Sequence, residues 1–154
     1  MSLLPALLLF LHLVAAAFWV GGMATLHFAV RPAAAATLEP PLRLPFMAAT
    51  LSRFLAAVSG AIVLLLASGL LMVWLLGGFA HVPWNVHAML AIGLLMMALF
   101  LHIRFAPFPR LQRAVAAREW PVAAAHLNLI RRLVGVNLVL GVVVFALALA
   151  SRAL

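Results

Sequence analysis

The chain has no cysteine, no lysine and no aspartate, and its only carboxylate side chains are Glu39 and Glu119. Without cysteine there can be no disulfide, thiolate metal site, covalent c-type haem attachment or cysteine nucleophile. Any bound metal must therefore be held by histidine, methionine or oxygen. With so few carboxylates, both outside the apolar runs, a catalytic dyad or triad has no residues to be built from. Charge is scarce and nearly all of one sign, since the ten cationic residues are all arginine and the formal net charge is +8. These arginines flank apolar runs and form no basic surface interleaved with aromatic residues, so nucleic-acid binding is not expected.

What the chain has in abundance is apolar side chain. It is 69% hydrophobic with a mean hydropathy of +1.29, whereas a soluble domain is about half apolar. The lipid bilayer is its expected surroundings. Four runs are long enough to cross a hydrocarbon core of about 30 Å: residues 3–30, 54–76, 86–105 and 129–150. Pro5 opens the first run and Arg31-Pro32 closes it; Arg53 and Gly77-Gly78 bound the second. Pro83-Trp84 and Arg104 with Pro107 bound the third, and Arg152 follows the fourth. The first run is too long for a signal-peptide core and has no basic residue before it, so a retained helix is expected. The prediction is an all-α fold: an integral membrane, up-down four-helix bundle forming one domain over residues 1–154.

The connections are unequal. Arg31, Arg43 and Arg53 lie between the first and second runs, and Arg104, Arg110, Arg113, Arg118, Arg131 and Arg132 between the third and fourth. Residues 77–85 carry no formal charge, and Arg152 stands alone near the C-terminus. The positive-inside rule then makes both arginine-rich connections cytoplasmic and puts both termini outside, in a multi-pass protein of a bacterial inner membrane. Residues 111–127 read either as an interfacial amphipathic helix or as a solvated continuation of the neighbouring helices.

Two histidine pairs share one spacing. His12 and His27 are fifteen residues apart in the first run, and His87 and His102 fifteen apart in the third. On a helix that spacing is roughly 22 Å, most of the membrane thickness. Measured from Arg31 and Arg104, the members of each pair fall at depths that agree to about 3 Å. If the first and third helices are parallel neighbours, four imidazoles form two stacked pairs. Imidazole inside lipid calls for a reason, and ligation of haem iron is one. Arg53, Arg131 and Arg132 could hold haem propionates at the cytoplasmic boundary, because guanidinium binds carboxylate bidentately; positive-inside topology with lipid phosphate contact explains them equally well. Met72, Met89, Met96 and Met97 raise Cu(I), which thioether ligands select, although methionine also serves as a gap-filler in apolar packing. Small residues such as Ser68-Gly69, Gly135 and Gly141 admit either a flat group or a neighbouring helix.

The segment from Leu11-His12 through Trp19 to Gly21-Gly22 resembles the opening helix of the copper-resistance protein D (CopD-like) membrane family. Further likeness lies in Arg53-Phe54 leading to Ser68-Gly69-Leu70, and in Arg131-Arg132-Leu133 before the last run. The same opening is similar to that of the four-helix bacterial protoporphyrinogen oxidases, and this resemblance implies haem b on His12. Both families usually carry a lysine early in the third helix; here there is none, and His87 lies in roughly that region.

Three functions follow as expectations. The first is a b-type haem protein transferring electrons across the membrane, with His12 and His87 on one haem and His27 and His102 on another. Its expected partners are the bilayer and an unidentified redox partner or quinone, with a homo-oligomer as an option. The second is copper transport or handling without haem. The third is a membrane oxidoreductase, a single-haem protoporphyrinogen oxidase.

Overall fold

A computed structural model describes residues 3–150, so Arg152 lies outside the described residues. All the regular structure among them is helical. Helix α1 (Leu3–Thr25) passes through a π-helical turn (Leu26–Val30) into α2 (Arg31–Thr37). Then follow α3 (Pro40–Leu75), a 3₁₀ turn (Phe79–His81), α4 (Trp84–Phe105), α5 (Pro107–Ala116) and α6 (Trp120–Ala150). Four stretches are long and apolar enough to cross a membrane: Leu3–Thr37, Pro40–Leu75, Trp84–Ala116 and Trp120–Ala150. This is the all-α bundle expected from the hydropathy pattern.

Proline sets most of the breaks. The π-helical turn lies immediately before Arg31-Pro32, where the missing N–H and the ring of Pro32 disrupt regular i−4 bonding to Phe28. Leu38 and Glu39 are extended, as residues before proline prefer, and Pro40-Pro41 then occupy the first two positions of α3, where no N–H is needed. Pro107 likewise takes the first position of α5, directly after Ala106.

The membrane helices are longer than their apolar runs suggest. α3 starts at Pro40 instead of residue 54 and α6 at Trp120 instead of 129. At 1.5 Å per residue α3 is about 54 Å long, well beyond a ~30 Å hydrocarbon core. The arginine-bearing connections are thus mostly helix, folded as a cap of α2, α5 and the first turns of α3 and α6. Residues 111–127 divide between α5 and α6, and α5 packs onto α6 through Phe108, Leu111 and Ala114.

The packing order differs from the one that the histidine pairs assumed. α1 packs on α3 and α6, whereas α4 packs on α6 and α5. α1 and α4 do not pack along their length; they reach each other through large side chains, as where the Trp19 and Phe100 rings meet edge to face at 6.1 Å. α3 and α4 likewise diverge from the short loop 76–83 that joins them. The space between these helices defines the candidate site.

Candidate functional site

The site is a cavity of about 360 Å³ in the half of the bundle away from the arginines. It is walled by α1, α3, α4 and α6 and reaches from Trp19 and Met96 to Phe79 and Val82 in the connecting loop. Its lining is almost wholly apolar, and the notable donors are His12, Met72, Met89, Met96 and Met97.

His12 is held in one orientation from α3. Its Nδ1 lies 3.0 Å from Ser68 Oγ. The Ser68 hydroxyl has one proton, and that proton goes back to the Leu64 carbonyl at 2.6 Å. Toward His12 the hydroxyl can therefore only accept, so the imidazole carries its proton on Nδ1. That leaves Nε2 as an unprotonated lone pair, the form in which histidine binds metal. The next residue, Gly69, is what allows the ring so close: a Cβ there would stand 3.1 Å from His12 Cε1. Ser68 is buried at 2% exposure, so its partnership with His12 is shielded from competing water.

The methionines come together by helical periodicity. Met89, Gly93, Met96 and Met97 are spaced i, i+4, i+7 and i+8 and share one face of α4, all lining the cavity. Met72 joins them from α3. A Cβ on Gly93 would meet nothing within 4 Å, so that side of the wall is open. Among the described residues there is no group of three or more histidine and carboxylate side chains that could hold a metal. The donors at the cavity are thus one imidazole and several soft thioethers.

The four histidines proposed as haem ligands have different surroundings. His12 is set against α3, at Ser68 and Gly69. His27, however, is set against α6, with its Cε1 3.6 Å from where a Gly135 Cβ would stand, and its ring meets Phe28. On α4, His87 is about 120° and His102 about 180° around the helix from the centre of the cavity-lining face. Both are exposed. The His87 Nδ1 is 3.4 Å from the Pro83 carbonyl, and its ring lies beside Phe79. His12 therefore lines the cavity while His87 does not, and equal depth did not translate into a shared site. Arg53, Arg131 and Arg132 are exposed on α3 and α6 and do not line the cavity. His81 is engaged in its own loop, with Nδ1 2.9 Å from the Gly77 carbonyl.

Against known families, the profile described as copper resistance protein D, CopD, matches residues 48–151. The chain belongs to the CopD family. The match takes in three of the four membrane-crossing stretches and, of the cavity donors, Met72, Met89, Met96 and Met97. No curated protein and no solved structure matches the chain. The likeness to protoporphyrinogen oxidases seen in the opening helix is thus without a matching relative, whereas the CopD assignment stands on most of the chain. Family membership and four helices of sufficient length and hydropathy make it a multi-pass membrane protein.

Sequence reasoning passed over one feature of the site. Ser68-Gly69 reads as a close-packing step, and nothing local links it to a histidine 56 residues away. The methionine stripe, by contrast, was available from the spacing of Met89, Met96 and Met97.

Proposed function

We propose that this CopD protein binds Cu(I) in the His12 cavity and handles copper as cargo within the membrane. The observation that carries this reading is that His12 and four methionines, Met72, Met89, Met96 and Met97, line one and the same apolar cavity. The thioethers are soft donors that select Cu(I), and a neutral imidazole, which binds copper in either oxidation state, completes the set. A monovalent ion also has a smaller solvation loss on leaving water, since that cost rises with the square of the charge. By the positive-inside rule the arginine-rich end is cytoplasmic, so the cavity lies toward the outer face, with both termini outside, in a bacterial inner membrane. Copper would then be taken up from the outer side, away from the repulsive arginines.

Haem b on His12 is the second reading, favoured by the same Nδ1 anchoring, which would suit an axial ligand. It would supply electron transfer to a redox partner or quinone, or a single-haem oxidase. The cavity end fits it less well: no arginine among the described residues there lines the cavity to receive propionates.

The test is an anaerobic Cu(I) titration of the purified protein against a chromogenic chelator, with an absorption spectrum of the same sample. A single Cu(I) per chain is expected, with affinity lowered about tenfold or more in His12→Ala and in Met96→Leu. The Leu variant keeps volume and removes the sulfur. A sample that binds no Cu(I) but shows a Soret band, lost in His12→Ala, overturns the copper reading in favour of haem.

A further inference from the structure

A second, smaller cavity of about 140 Å³ lies at the arginine-rich end between α2, α3 and α6, lined by Arg31, Arg43 and Asn128 with the buried Leu44, Met47 and Leu127. Arg31 is delivered there by the π-helical turn just before it, since one inserted residue rotates everything that follows by about 100°. Its Nη2 donates to Asn128 Oδ1 at 3.2 Å, tying the first helix to α6.

The polarity of this pocket is one-sided. Asn128 accepts from Arg31 through its amide oxygen, so the groups it has left to offer a ligand are its amide N–H donors. Arginine has only donors. The positive charges of Arg131 and Arg43 both bear on Arg31, and no carboxylate is among the groups acting on it. Like charges brought this close repel one another, and an anion between the Arg31 and Arg43 guanidinium groups would relieve that repulsion. Arg31 also ends the first apolar run, at the arginine-rich end of the bundle.

We propose that the Arg31–Arg43–Asn128 pocket binds a phosphate group, with both guanidinium groups and the Asn128 amide as donors. Planar guanidinium matches the oxygens of phosphate in pairs. The source is either the headgroup of an anionic phospholipid or free phosphate, and basic pockets between membrane helices are suited to the former. This proposal is independent of the His12 cavity, which lies toward the other end of the bundle.

The full chain in lipid nanodiscs tests it, using phosphatidylcholine discs with and without phosphatidylglycerol, read by lipid retention in native mass spectrometry, and inorganic phosphate by titration. Arg43→Gln and Arg31→Gln are expected to lower phosphatidylglycerol retention or phosphate affinity about tenfold. Arg31→Lys, which keeps the charge and loses the fork, should fall in between. Arg110→Gln, an exposed arginine outside the pocket, should change it by no more than about twofold. Loss with phosphatidylglycerol alone identifies a lipid headgroup, and loss with inorganic phosphate identifies a free anion. Equal loss in Arg110→Gln, or none in Arg43→Gln, overturns the pocket. If Arg31→Gln unfolds because the tie to Asn128 is broken, Arg43→Gln still reads the site.

Discussion

The two ends of this bundle are built to opposite specifications. At the arginine-rich end, Leu44, Ile103, Phe108, Leu111 and Ile130 are each at most 2% exposed, and α2, α5 and the first turns of α3 and α6 close over them. At the other end the same four membrane helices diverge around a cavity, and none of those tightly buried side chains lines it. The packed end carries hard cationic groups outside the core, and the open end carries soft neutral donors inside it. Packing is thus concentrated where the chain leaves the membrane, which lets the membrane-embedded half hold an open, donor-lined space without losing the fold.

The largest expected effect tests this division directly. Phe108 is fully buried under α6, so Phe108→Ala should cost about 3–5 kcal/mol through lost contacts and a residual cavity. Phe145 lines the existing cavity, so Phe145→Ala enlarges a space already there and should cost distinctly less. Thermal unfolding of both variants in one detergent makes the comparison. Equal losses would mean that the open half carries as much of the stability as the cap.

A smaller effect sharpens the chemistry of the open end. Ser68→Ala removes the side-chain acceptor that faces His12 Nδ1 and leaves the imidazole only its backbone bond with Leu65. Loss of such an orienting partner lowers metal affinity by about 10- to 100-fold. The same Cu(I) titration reads it, and unchanged affinity would show that the Leu64–Ser68–His12 relay does not set the donor. The cost to stability should be about 1 kcal/mol, that of one shielded hydrogen bond lost, and below that of Phe108→Ala.

Much of this architecture was legible in the chain. Four apolar runs bounded by arginine, proline and glycine gave the membrane helices, and Gly77-Gly78 marked the end of α3, where both residues take positive φ. The starts of α3 and α6 were not legible from hydropathy, because a helix outside lipid needs only helix-forming residues and a proline start, and Pro40-Pro41 and Trp120-Pro121 supply that below any hydropathy signal. His12 was legible as a buried polar group in an apolar helix. The expected pairing with His87 does not form, because matched depth fixes height along the membrane and says nothing of azimuth. The rotation of α4 is set instead by the face that presents Met89, Met96 and Met97 to the other helices.

The smallest expected effect compares the corners at which helices stop at the two ends. α3 closes with Gly77 at φ +90°, with Gly78 N–H donating to the Val73 carbonyl at 2.9 Å and Gly77 N–H to Trp74 at 3.1 Å. α5 closes in the same way on Arg118 at φ +59°, with Glu119 N–H donating to Ala114 at 2.9 Å and Arg118 N–H to Val115 at 3.1 Å. The bonding is the same, but the left-handed residue is glycine in one case and arginine in the other. A side chain in that region costs about 1 kcal/mol, partly offset by the extra freedom glycine gives the unfolded chain. Arg118→Gly should therefore raise the melting temperature by roughly 2–3 °C, whereas Gly77→Ala should lower it by a similar amount or more, since its Cβ would also stand 3.3 Å from His81 Nδ1. If Gly77→Ala destabilises and Arg118→Gly brings no gain, the Arg118 guanidinium supplies a compensating interaction that glycine loses. At this end of the molecule a lipid phosphate is the partner that would provide it, and the deficit should then shrink when the measurement is repeated in detergent without anionic lipid.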